Sequence, residues 1–116
     1  MREEQIQEAP VKVLLVGVDV GEEPDFERSM EELASLAEAA EKEVAGQIVQ
    51  RLDHVNKALY IGTGKVTEVR RLAEECGAQE IVFDNSLTPS QVRNLGNELE
   101  LPIIDRRSEE RRVGKE

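Results

Sequence analysis

Val11–Val18 reads VKVLLVGV, an aliphatic run that only Lys12 and Gly17 interrupt. Its shortness and its β-branched side chains mark a strand buried on both faces, the kind found inside a parallel sheet. DVGEEPD, Asp19–Asp25, follows as a loop punctuated by Gly21 and Pro24. From Phe26 the period changes. Phe26, Met30, Leu33, Ala37 and Ala40 recur at steps of four and three, which is one face of a helix. Asp25 stands where an N-cap is expected, and Glu27, Glu31 and Glu32 suit the positive end of the helix.

Beyond that helix the same alternation repeats. Glu43–Leu52, EVAGQIVQRL, alternates apolar and polar residues and predicts a half-exposed strand near a sheet edge. Asp53–Lys57 is a polar connection, and Ala58–Gly62 predicts a short strand or an extended loop. A second helix starts at Thr63 or Gly64, with Val66, Val69, Leu72, Ala73 and Cys76 on one face and Gly77 as its C′ residue. Gln79–Asp84 is another buried strand. Thr88, Pro89 and Gln91 then spell a capping box that opens a third helix, with Val92, Leu95 and Leu99 facing inward. Leu101–Asp105 is the last strand. The order predicts an α/β fold: a small, open, mostly parallel four-stranded sheet with helices on both faces and the first strand central.

The 116 residues suffice for one domain. Aromatic residues are 3% of the chain, so the core must be aliphatic. The formal net charge of −10 opposes non-specific binding to nucleic acid, and any RNA contact needs a local basic patch. Met1–Pro10 is charged, lacks an apolar segment and reads as a flexible lead-in rather than a signal peptide. No run approaches the roughly 20 apolar residues that span a membrane. A single cysteine, Cys76, precludes an internal disulfide and fits a cytoplasmic protein.

Tyr60–Glu68, YIGTGKVTE, is the stretch that most suggests a binding site. Backbone amides at the entry to a helix attract an anion, and Lys65 would add a full charge. Gly62, Gly64 and Lys65 are therefore candidates for an anion or RNA-phosphate contact. The alternative is a tight turn whose glycines supply positive φ. A P-loop is excluded, because GxxxxGK[ST] needs a glycine where Leu59 stands and a hydroxyl where Val66 stands. His54 has no visible partner for proton transfer, and Cys76 on an apolar helix face reads as a structural thiol. Asp19, Asp84 and Asp105 all end strands; they either meet a ligand at the carboxyl edge of the sheet or begin loops and cap helices. Arg70, Arg71, Arg93, Arg106 and Arg107 are the local basic groups that could meet RNA, and pairing with nearby Glu68, Glu74 and Glu75 competes with that contact.

The YIGTGK turn, the FDNSLTPSQVRNL segment and the terminal IIDR occur in the order and spacing of one family. From Val11 to Arg106 the chain resembles the N-terminal domain of the HflX family of ribosome-associated GTPases. The resemblance implies a small α/β domain, followed in the family by a helical arm and by a G domain that binds GTP and Mg²⁺. It implies a non-catalytic fragment with no cofactor of its own, whose partners are the large ribosomal subunit with its RNA and the parent's arm and G domain. Asn85, Ser86, Gln91 and Arg93 become candidates for a polar docking surface. Residues 107–116, RSEERRVGKE after Arg106, depart from the family and read as a non-native or disordered tail. The alternative function is a stand-alone nucleotide-binding α/β domain that uses the Gly62–Lys65 turn.

Overall fold

The computed structural model describes residues 9–21 and 25–108. Most of the lead-in (1–8) and of the tail (109–116), and part of the first loop (22–24), lie outside the described residues. Among the described residues four strands and three helices alternate: β1 (Val11–Asp19), α1 (Phe26–Ala39), β2 (Lys42–Arg51), α2 (Thr63–Cys76), β3 (Glu80–Phe83), α3 (Pro89–Leu99) and β4 (Ile103–Asp105). The sheet runs β2-β1-β3-β4, and every neighbouring pair is parallel. The expected architecture is thus present, with β1 inside and β2 on an edge. Ala58–Gly62 is not a strand. An isolated antiparallel bridge between Asn56 and Tyr60 is the only ladder contact there.

Topology decides which face each helix covers. The chain moves one way from β1 to β2 and the other way from β2 to β3 and β4. Right-handed crossovers therefore put α1 on one face and α2 with α3 on the other. Side chains of β1 divide accordingly. Val13 and Leu15 pack with Met30, Leu33 and Ala37 of α1. Leu14, Val16 and Val18 pack with Val66, Val69, Leu95 and Leu99 of the other two helices. Register slips once, between Val13 paired with Val44 and Leu14 paired with Gly46, so Ala45 is the extra residue of a bulge on the edge strand. Lys42 Nζ meets Glu80 Oε1 at 2.9 Å and ties the starts of β2 and β3 across β1.

Local chemistry ends each helix. Asp25 occupies the N-cap of α1 but makes no capping bond with its side chain, so the expected cap is positional only. Gly77 closes α2 in the left-handed conformation, φ 72°. α3 has the full capping box: Gln91 N–H donates to Thr88 Oγ1 at 3.1 Å, and Thr88 N–H donates to Gln91 Oε1 at 2.9 Å. No helix among the described residues is long and apolar enough to cross a membrane.

Gly17 permits the close approach of α1. A Cβ there would fall 2.5 Å from Met30 Sδ and 2.8 Å from Phe26 Cζ. Gly17→Ala is therefore expected to destabilise the fold by about 1–3 kcal/mol through overpacking, read as a lower urea midpoint at unchanged slope.

Candidate functional site

In a sheet of this kind the crevice for a ligand opens where consecutive connections leave in opposite directions. Here that point lies between the carboxyl ends of β1 and β3. A cleft of about 550 Å³ occupies it, lined by Val18, Val20, Phe26, Asp84, Asn85 and Arg106 among others. The three strand-end aspartates are all engaged by the protein itself. Asp19 Oδ1 accepts from Gly21 N–H at 2.9 Å, and its Oδ2 lies 3.5 Å from Arg51. Asp84 Oδ1 accepts from Arg106 Nη1 at 2.7 Å, and its Oδ2 accepts from the Ser29 hydroxyl at 2.8 Å. Asp105 Oδ2 accepts from Leu87 N–H at 3.1 Å, and Oδ1 accepts from Ser108 N–H at 3.0 Å. Asp19 and Asp105 thus serve a loop and a helical turn, whereas Asp84 holds a guanidinium and a hydroxyl. No three His, Cys, Asp or Glu side chains converge as metal ligands among the described residues.

The Gly62–Lys65 turn has a different geometry from a glycine turn. Gly62 is the N-cap of α2 with φ −68°, so it does not use positive φ. Tyr60 does, at φ 67°. The absence of a side chain at Gly62 instead admits Gln50, whose Oε1 accepts from Gly62 N–H at 3.0 Å and whose Nε2 would lie 3.2 Å from an added Cβ. A Cβ at Gly64 would meet nothing within 4 Å, so that side of the first turn is open. No side chain caps the α2 amides. Lys65 Nζ pairs with Glu68 Oε1 at 2.9 Å, which offsets part of the charge it would offer an anion. Arg70 reaches α3 rather than its own helix: it donates to the Glu98 carbonyl at 2.8 Å and lies 3.5 Å from Glu98 Oε1. The expected pairing of Arg70 with Glu68 or Glu74 does not form, because the C-terminal carbonyls of α3 offer a better acceptor.

The four docking candidates separate. Ser86 and Arg93 are exposed. Asn85 is half-buried, and its Oδ1 is buried without a hydrogen-bond partner. Gln91 is buried, at 6% exposure, and so cannot line a rim. Its Nε2 donates to the carbonyls of Asn56 at 3.3 Å and Lys57 at 3.2 Å. Asn94 Nδ2 donates to the Ala58 carbonyl at 3.1 Å, and Asn56 Oδ1 accepts from the N–H groups of Ala58 and Leu59. Sequence reasoning missed this clamp: α3 holds the 56–59 loop by its backbone and leaves Lys57 exposed beside it. Polar residues at two points on the inner side of α3 were its only signal.

Burial alone would raise the Asp105 carboxyl. The Leu87 and Ser108 N–H groups, the Ser108 hydroxyl and the Arg107 charge outweigh it and hold the group below its ordinary value of 3.8. A depressed native pKa supplies stability that is fully present above 3.8 and is lost as pH falls through the native value. Asp105→Asn is expected to flatten the acid limb of the stability profile, measured by denaturation from neutral pH downward. Gln91→Glu keeps the acceptor for Thr88 but sets a carboxylate against two carbonyls. It is expected to cost about 1–3 kcal/mol and to speed proteolysis within 56–59.

Comparison with known proteins agrees with this architecture. A family model described as "GTP-binding GTPase N-terminal" matches residues 27–108. A GTPase HflX from Alkalihalophilus pseudofirmus is 43% identical over 95 residues, covering 81% of this chain and 22% of the relative. One from Lacrimispora saccharolytica is 32% identical, covering 88% of this chain and 24% of the relative. The chain thus spans under a quarter of the length of these curated relatives. Among solved structures, SsGBP in complex with GDP superposes with a TM-score of 0.66 at 18% identity, over 89% of this chain and 28% of that one. That likeness is one of fold. By the family match and by these relatives, the chain belongs to the HflX GTPase family and corresponds to the N-terminal domain of its members.

Proposed function

We propose that this domain is a cytoplasmic docking and regulatory module of an HflX-type GTP-binding protein, with the large ribosomal subunit as its partner. Family membership supports that reading, and so does the open first turn of α2. Uncapped amides at a helix start, next to Gly64 and Lys65, suit the phosphate of an RNA backbone. Ser86 and Arg93, exposed at the approach to α3 and on it, extend the polar surface, and the clamped 56–59 loop presents Lys57. Catalysis is assigned to the remainder of the parent protein. These 116 residues contain no P-loop, and the one hydroxyl–carboxylate pair described in the cleft, Ser29 with Asp84, is bonded to Arg106. GTP, Mg²⁺ and any role in splitting ribosomes or responding to stress go with that remainder.

The same uncapped turn suits a nucleotide phosphate, which is the second reading. Sedimentation of the chain with purified large subunits, across a salt series, tests the first. Binding is expected to weaken in Lys65→Ala and in Arg93→Ala, and each lost phosphate contact lowers the salt slope by about 1. Saturable binding of ATP or GTP that Lys65→Ala abolishes, without co-sedimentation, would replace it by the second.

A further inference from the structure

Arg106 follows β4 directly and turns back into the switch-point cleft. Its Nη1 donates to Asp84 Oδ1 at 2.7 Å, to the Ser29 hydroxyl at 3.0 Å and to the Ser29 carbonyl at 3.2 Å. Its Nη2 donates to Glu32 Oε1 at 3.0 Å. The Ser29 hydroxyl in turn donates to Asp84 Oδ2, so one residue accepts from the guanidinium and braces the carboxylate. The Asp84 side chain is 4% exposed, and that of Arg106 is 21% exposed. These acceptors come from α1 and from the end of β3, far apart in sequence, and they surround one planar cation. A guanidinium can reach several such acceptors at once, whereas an ammonium on a flexible stem presents a point charge.

We propose that Ser29, Glu32 and Asp84 form a guanidinium-binding site at the switch point, occupied in cis by Arg106, and that this occupancy sets the direction in which the chain leaves β4. Asp105 acts with it. By accepting from Ser108 N–H it caps the helical turn that starts at Arg106. The arginine is a tethered ligand, held at high effective concentration by its position next to the strand. Whatever follows residue 108 in a longer relative would start from a fixed bearing on the sheet, and an arginine from a partner could compete for the same acceptors. This inference is independent of the ribosome reading.

Amide hydrogen exchange in Arg106→Ala tests it. Exchange at Arg107 and Ser108 is expected to accelerate about tenfold or more, the equivalent of one charge-assisted hydrogen bond, while the amides of Leu15 and Val82 keep their protection. Ethylguanidinium at tens of millimolar is expected to restore protection in that variant, and ethylammonium is not. Arg106→Lys should resemble Arg106→Ala, and Asp84→Asn should loosen the same amides with Arg106 present. The proposal is overturned if the exit turn is unaffected, if the whole core loosens equally, or if the two additives act alike.

Discussion

Six consecutive residues of β1, Val13–Val18, are withdrawn from water on both sides, and everything else in the domain is arranged to keep them so. A strand apolar on both faces needs a neighbour along each edge and a cover on each face. β2 and β3 supply the edges; α1 supplies one cover, and α2 with α3 supply the other. Parallel neighbours need helical crossovers, so the order of elements follows from the burial of one strand. The same order creates the place where connections diverge, and hence the cleft.

That cleft differs from an empty ligand site. Its buried strand-end carboxylate, Asp84, accepts from a guanidinium, and Asp105 at the end of the neighbouring strand accepts from backbone amides. Buried charge is costly unless it is paired and hydrogen-bonded, and here the pairing partners come from the segment that leaves the sheet. The domain thus uses its carboxyl edge to hold its own exit. The first turn of α2, open beside Gly64, and the exposed Lys57 lie on the connection that leaves the carboxyl end of β2.

Much of this was legible in the sequence, because period and punctuation are local. The aliphatic run of β1, the four–three spacing of α1 and the Thr88–Gln91 capping box are each readable within a dozen residues, and each is present. The misreadings share a cause: they concern side chains whose partners are remote. Gln91 read as a rim residue because its hold on Asn56 and Lys57 spans more than thirty positions. Arg70 read as paired within its helix, but its acceptor is the end of α3. Arg106 read as the end of a family motif and as one of several local basic groups, but its contact with Ser29 crosses 77 positions. The alternative to the anion turn, glycines that supply positive φ, fails at Gly62, which admits Gln50, while the positive φ belongs to Tyr60.

Tyr60 has an additional consequence. It is the one tyrosine, and the chain has no tryptophan. Its ring stands edge-on to Phe83 at 6.3 Å, at the join between the clamped loop and α2. Tyrosine emission from this domain therefore arises at a single position, beside the surface proposed for docking. A native chromophore there can report occupancy of that surface without any label being attached.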